Sequence, residues 1–211
     1  MHKLLFLLPL LLLIGCGAQM RNLPVGEGRM QASASVGGPL VNAFGTVIPI
    51  PYAMAGATYG ITDRLDAHAD LHVLAAVFKF MGLTPGLTYF PKLPVDRWVP
   101  SVTADVLLFS DFTAKRAYPE ITAAIAHPIG TRWVPYAGLH NTFQFSHHPV
   151  YISSLYAGTS YRMGRVNLYG ELQWLALNRD NHLTPVDYHG IGEHGALSPQ
   201  FGVSMDLGGK K

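Results

Sequence analysis

The sequence predicts an all-β fold, an antiparallel up-and-down barrel of about ten strands. Apolar and polar side chains alternate with a period of two along much of the chain, and this period is typical of strands. Gly, Pro and Asp turn signals divide residues 28 to 208 into segments of about ten residues. No stretch shows the period of a long amphipathic helix. Strands of this even length, joined in sequence, fit one closed barrel.

The composition limits the class of protein. The chain has 211 residues, of which 49% are hydrophobic and 13% charged, and its formal net charge is +2. This length suits one domain or one barrel, and the charged fraction is low for a soluble protein. The small net charge and the lack of a Lys and Arg run exclude nucleic acid as an expected partner.

Residues 1–15 are predicted to be a lipoprotein signal peptide. A positive start is followed by an apolar run from Leu4 to Gly15, which is too short to span a hydrocarbon layer about 30 Å thick but fits a removed export signal. Leu13-Ile14-Gly15-Cys16 resembles the bacterial lipobox. The resemblance implies a covalent lipid such as palmitate on Cys16, and handling by the lipoprotein-sorting machinery. Gly17 follows the lipidated cysteine in this resemblance. A residue other than Asp at this second position resembles those that permit sorting to the outer membrane in many Gram-negative bacteria.

Residues 16–27 are then a lipidated tether, and residues 28–208 the barrel domain. Cys16 is the only cysteine, so an intramolecular disulfide is excluded. The predicted strands lie near residues 28 to 39, 50 to 60, 65 to 77, 80 to 91, 98 to 110, 118 to 128, 133 to 146, 150 to 163, 166 to 177 and 196 to 208.

The segment from residue 65 to 77 has the clearest pair of faces. One face is apolar from Leu65 to Val77, whereas the other carries Asp66, His68, Asp70 and His72. The segments at residues 133 to 146, 166 to 177 and 196 to 208 alternate in the same way. Each predicted strand therefore offers one apolar stripe.

The connections between segments mostly alternate in length, and the short one near Phe78 and Lys79 is the exception. The short ones are Ile61 to Arg64, Lys92 to Arg97, Ile129 to Arg132 and Met163 to Arg165, and the longer ones are Leu40 to Pro49, Asp111 to Ala117, Ser146 to Pro149 and Asn178 to Gly195. Short turns at one end and longer loops at the other are typical of an outer-membrane barrel, with turns and both termini in the periplasm.

The lysines favour a transmembrane barrel over a soluble one. A strand face in water normally carries Lys and Glu, yet every lysine lies outside the regular strand interiors. The polar faces carry compact groups that suit a narrow lumen, and the apolar stripes then face lipid. The alternative is a lipidated soluble periplasmic barrel with its apolar stripes inside, binding an apolar ligand.

A hairpin signature supports the membrane interpretation. Tyr59-Gly60-Ile61-Thr62-Asp63-Arg64-Leu65-Asp66 resembles the strand–turn–strand hairpin that recurs in bacterial outer-membrane β-barrel proteins. The resemblance implies a location in the outer membrane, with membrane lipid and the barrel-assembly machinery as partners. Many such barrels end on an aromatic residue, whereas this chain ends Leu207-Gly208-Gly209-Lys210-Lys211.

Two groups of titratable residues are candidates for chemistry. Asp66, His68, Asp70 and His72 form what we call the lumen polar ladder. Its members could ligate a metal, but His68 and His72 would stand about 13 Å apart on a strand and could not share one ion. We therefore expect no metal, and a structural hydrogen-bond network completed by groups such as Arg162, Glu171 and Tyr136.

The second group lies in the longer loops. His182, Asp187, His189, Glu193 and His194 are clustered in the longest loop, where they could bind metal or simply be solvated. Asp111 with His147 or His148 could form an acid–base pair at the rim. Ten-stranded outer-membrane proteases resemble the chain in strand count, but none of their motifs is present.

The preferred function is that of a non-enzymatic outer-membrane β-barrel lipoprotein with a structural or surface-contact role and at most a narrow pore. No cofactor is expected apart from the lipid on Cys16. The alternatives are the soluble ligand-binding barrel and a rim hydrolase using Asp111, His147 and His148.

Overall fold

The computed structural model of the chain describes residues 21–73, 81–93, 97–110, 115–145, 149–181 and 186–209. Within them, ten strands close into one antiparallel barrel and two further strands form a separate hairpin. The predicted barrel fold is confirmed. None of the described residues forms a helix long and apolar enough to cross a membrane.

The strands match the predicted segments within a few residues, except for the additional hairpin. They are β1 (Arg29–Gly37), β2 (Leu40–Ala43), β3 (Thr46–Pro49), β4 (Tyr52–Thr62), β5 (Leu65–His72), β6 (Met81–Tyr89), β7 (Val99–Ser110), β8 (Lys115–Ala126), β9 (Trp133–Gln144), β10 (Val150–Met163), β11 (Val166–Asp180) and β12 (His194–Gly209). From β4 to β12 each barrel strand pairs with the next one in sequence, and β1 closes the ring between β12 and β4.

The connection from Leu40 to Pro49 differs from the prediction of a loop, because it contains the β2–β3 hairpin. Its turn is Phe44-Gly45, where both residues have positive φ, 54° and 76°. These angles belong to the tight turn that matches the twist of a two-stranded hairpin. Because Phe is not a residue that sequence patterns associate with positive φ, the hairpin carried no turn signal.

The two faces of the barrel wall have opposite chemistry. Large apolar side chains alternate along the outer surface, for example Leu83 and Leu87 on β6 and Val102 and Val106 on β7. The residues between them point inward and are polar and buried, such as Thr103 on β7. This is the distribution of a barrel that spans lipid. It overturns the soluble-barrel alternative, which required the apolar stripes to face inward.

The two ends of the barrel differ in their connections. The end with the tight turns Asp63-Arg64 and Gly164-Arg165 is the short-turn mouth, where β1 begins and β12 ends. The opposite end, with the β2–β3 hairpin and residues 186–193, is the long-loop mouth. At the short-turn mouth Trp133 and Tyr161 contact each other, and the ring of Trp98 contacts that of His127. Aromatic girdles of this kind occur where a barrel wall meets lipid headgroups.

Candidate functional site

The four members of the lumen polar ladder all point into the barrel and are buried, with Asp66 only 1% exposed and Asp70 2%. Asp66 and Asp70 are bonded to the segment before β1, His68 to β7, and His72 to β4 and β6, so the ladder is not one shared site. In the described part of the chain, no group of three or more His, Cys, Asp or Glu side chains is arranged to hold a metal ion.

His68 of β5 is bonded to β7, past the intervening strand β6. Its Nε2 donates to Asp105 Oδ1 at 2.6 Å, and both side chains are fully shielded from solvent. The pair lies over Gly86 of β6, where an added Cβ would collide with the carboxylate of Asp105 and the ring of His68. A residue without a side chain is needed at this position so that the two groups can meet.

His72 is bonded toward the long-loop mouth. Its Nδ1 contacts the hydroxyl of Tyr52, and its Nε2 is 2.8 Å from Thr84 Oγ1. Both imidazole nitrogens are therefore used in hydrogen bonds to neutral hydroxyl groups. The ring is held as a structural element of the lumen.

The other half of the lumen has its own network. Glu120 accepts a 2.8 Å hydrogen bond from Thr142 and lies 3.4 Å from Nε2 of His140. Gln173 donates to both Glu171 and Gln200, and Gln200 donates in turn to Ser35. These bonds join β8 to β9 and β11 through β12 to β1. The network thus fastens neighbouring strands from inside.

Among the described residues, five carboxylates lie buried in the lumen, on Asp66, Asp70, Asp105, Glu120 and Glu171. A buried carboxylate is strongly disfavoured unless a cation or hydrogen-bond donors face it. Asp105 and Glu120 are faced by histidines, and Glu171 accepts a hydrogen bond from Gln173. Asp66 and Asp70 are faced by a segment that lies outside the barrel strands.

That segment, residues 21–27, enters the short-turn mouth, and we call it the N-terminal plug. Nη2 of Arg21 lies 2.6 Å from Oδ2 of Asp70, with both side chains buried. The backbone N–H of Val25 donates to Asp66 Oδ2 at 3.0 Å. Leu23 packs against a cluster of inward-facing residues that includes Tyr136. The described part of the predicted tether therefore lies inside the barrel.

The expected partners of the ladder were wrong. Instead of Arg162, Glu171 and Tyr136, the bonded groups are Arg21, the Val25 amide, Asp105, and the pair Tyr52 and Thr84. Asp105 could have been found by extending the alternation rule to the segment at 98 to 110. Arg21 carried no signal, because pairing between a tether and a strand far along the chain leaves no periodic pattern.

The long-loop mouth is covered by a lid, made of β2, β3 and residues 186–191. Tyr188 bridges to Val41, and the amide of Asn42 donates to the carbonyl of Asp187. Val41 and Tyr188 pack on Leu175 and Ala196, whose side chains point inward from the ends of β11 and β12. The lid therefore closes this mouth with apolar side chains.

The hydroxyl of Tyr188 is buried in the lid without a hydrogen-bond partner among the described residues. Burial raises the pKa of Tyr188 to about 12. Of the predicted loop cluster, the structure places Asp187 and His189 beside this tyrosine, but their lid bonds are made by backbone atoms. His182 lies outside the described residues.

Two small cavities lie among the described residues of the lumen. One, of about 50 Å³, lies against the strands β7 to β11 and is lined by residues including Glu120, His140 and Leu175. Another of about 70 Å³ lies beside the plug, next to Asn22 and Asp66. Each has room for a few water molecules. Cys16, Asp111, His147 and His148 lie outside the described residues.

No protein-family model matches the chain, and no curated protein matches it. Among solved structures, the chain is similar to the COG4313 outer membrane channel from Pseudomonas putida F1, with a TM-score of 0.51 and 10% identity over 91% of this chain and 99% of that one. The NanC porin gives a TM-score of 0.47 and 10% identity over 84% of this chain and 100% of that one. The likeness to the first shows a shared barrel fold.

Proposed function

We propose that the chain is an outer-membrane β-barrel lipoprotein that does not form an open pore and that acts through contacts at its long-loop end. The observation that carries the proposal is a lumen occupied at both mouths, by the plug and by the lid. An open diffusion channel needs a continuous aqueous path, whereas a polar lumen filled by bonded side chains serves to hold the wall together.

The outer surface supports insertion in the outer membrane. Along β5, β6 and β12 the outward side chains are large and apolar and stay exposed, as with Leu71, Leu87 and Phe201. Exposed apolar area of this extent is stable only against lipid or a partner. Insertion requires the barrel-assembly machinery and surrounds the wall with outer-membrane lipid.

Lipidation of Cys16 is compatible with the position of the plug. Four residues lie between Cys16 and Arg21, and the five extended steps between their Cα atoms span about 18 Å. In the proposed orientation the lipid on Cys16 belongs to the periplasmic leaflet, so the residues before Arg21, whose side chain reaches Asp70 inside the lumen, would have to lead back out of the short-turn mouth. The sorting machinery for lipoproteins is the partner that such an anchor implies.

The tip of the lid supports a contact role. Phe44 is fully exposed, at 100%, and its φ of 54° lies in a region that costs energy for a bulky residue. A strained and fully exposed aromatic side chain is not explained by the stability of the barrel. It is suited to insertion into an apolar pocket of a partner at the cell surface.

Cell fractionation with surface proteolysis tests the proposal. We expect the wild-type protein in the outer-membrane fraction, with heat-modifiable migration on gels and cleavage near residues 186–191 on intact cells. Cys16→Ala should abolish lipid labelling while leaving the barrel heat-modifiable, and Cys16→Ala with an ordinary secretory signal serves as the control for export. A soluble periplasmic protein, or a long-loop end protected on intact cells but cleaved after permeabilisation, would refute it.

A further inference from the structure

A cavity of about 180 Å³ opens at the short-turn mouth, between the N-terminal plug and the barrel wall. Pro24 and Val25 of the plug form one side of it, and Arg29, Arg162 and Arg165 lie on the wall. This cavity is larger than the cavities of about 50 and 70 Å³ described above and is open to the water on that side of the barrel. It is not needed for closing the lumen.

The charges around this cavity are unbalanced. Three guanidinium groups and one carboxylate line it, and that carboxylate, on Asp206, is ion-paired with Arg29. Within the described ranges, no carboxylate forms an ion pair with Arg162 or Arg165. The guanidinium groups of Arg162 and Arg165 therefore line the cavity without an ion-paired carboxylate among the described residues.

The rest of the rim adds to the positive potential. The other short connections also carry an arginine, at Arg64, Arg97 and Arg132, and the described acids nearby are Glu27 and Asp63. Arg132 donates to the hydroxyl of Tyr161 and is held in place by that bond. A rim with an excess of one charge raises the local concentration of anions at its opening.

We propose that this cavity binds a phosphate-type oxyanion. The planar guanidinium offers parallel N–H donors that match the oxygens of phosphate, and paired arginines are the usual way in which proteins hold such groups. The volume accommodates one phosphate group with a few waters. Either free phosphate in the aqueous compartment or the phosphate of a lipid headgroup at the rim has the required chemistry.

The ligand would act on the plug, because Pro24 and Val25 form the facing wall. An anion between the arginines and the plug contacts both, so it binds the plugged barrel better than an unplugged one. Binding of this kind stabilises the plugged state by mass action. The short-turn mouth would then be fastened by a ligand as well as by the pair of Arg21 and Asp70.

Calorimetric titration of the full chain, refolded in micelles of a maltoside detergent that contains no phosphate, with inorganic phosphate tests the site. We expect saturable binding at constant ionic strength, and an affinity lower by about tenfold or more in Arg162→Gln/Arg165→Gln. Arg64→Gln is the matched control, because Arg64 lies on the same rim outside the cavity. If the double variant fails to give a heat-modifiable barrel, Arg165→Gln alone, in an exposed turn, replaces it.

A second arm distinguishes the two sources of phosphate. Melting temperatures are compared in micelles of the phosphate-free detergent alone and with added phosphatidylglycerol. A rise with phosphatidylglycerol that is lost in the double variant, without binding of inorganic phosphate, assigns the site to a lipid headgroup. Equal losses in the double variant and in Arg64→Gln would overturn the proposal in favour of a general rim potential. Absence of any response in both arms would also overturn it.

Discussion

The two mouths of the barrel are closed by different kinds of interaction. At the short-turn mouth, a buried ion pair between Arg21 and Asp70 and a backbone hydrogen bond to Asp66 hold the plug, with Leu23 as its apolar contact. At the long-loop mouth, Val41 and Tyr188 pack on inward apolar groups.

The difference follows from what each end of the wall offers. The ladder on β5 places two carboxylates deep in the lumen, and they require a cation and N–H donors that the wall does not supply. The ends of β11 and β12 place Leu175 and Ala196 inward, and these need only apolar cover. The plug therefore supplies partners for buried carboxylates, and the lid covers apolar side chains. Each closure should fail when its own kind of interaction is removed.

Asp70→Ala should have the largest effect on stability. The change leaves the guanidinium of Arg21 buried without its partner, and breaking a buried pair in this way costs about 3 kcal/mol or more. The free energy of unfolding in urea, for the refolded barrel, measures the loss. Asp187→Ala is the control, because that side chain is exposed in the lid, and an equal loss in both variants would contradict the pairing of the plug.

Leu175→Ala should weaken the lid by removing the side chain on which Val41 and Tyr188 pack. Truncating a buried leucine costs about 2 to 4 kcal/mol, depending on how far the site collapses. Faster proteolysis of residues 186–191 should accompany the loss of stability. Leu172→Ala changes an outward side chain on the same strand, so similar protease sensitivity in the two variants would argue against the lid.

Tyr188→Phe should be close to neutral, in contrast to any change at the ion pair. The hydroxyl has no partner among the described residues, so its removal relieves a buried polar group and keeps the packing. Because the pKa is raised to about 12 in the folded state, the unfolded chain loses its proton first, and wild-type stability should fall above about pH 10. Thermal melts at pH 8 and above pH 10 compare the two proteins. A large loss in Tyr188→Phe would reveal a hydrogen bond to that oxygen.

Added zinc should leave the melting temperature unchanged. His68 and His72 are bonded to separate partners, and the described residues include no set of three ligands for one ion. Melts with and without zinc, in wild type and in His68→Ala, measure this. A rise in wild type that disappears in His68→Ala would make the lumen polar ladder a metal site.

The sequence was informative where a local period carried the structure. The alternation of apolar and polar residues from Leu65 to His72 was enough to predict the strand and its two faces, and the lack of lysine in the predicted strand interiors indicated which face is inward. Contacts between distant parts of the chain had no such signal. The partner of Asp70 is Arg21, 49 residues away in the sequence. Arg21 was assigned to a tether, because a short polar segment before the first strand has no period.

The lid was missed for a related reason. Leu40 to Pro49 contains a turn made by Phe44 and Gly45 rather than by the residues that usually mark a hairpin. Packing of Val41 against Leu175 depends on barrel closure, which brings β11 and β12 beside the first strands. Neither fact could be derived from the order of residues in that segment.

The closed lumen is tested most directly by current through planar lipid bilayers containing the refolded full-length protein. We expect no sustained open-channel current from the wild type. We also expect none after deletion of residues 21–27 alone, because the lid still closes the opposite mouth. Regular current steps of porin size from the wild-type protein would contradict closure of the lumen by the plug and the lid.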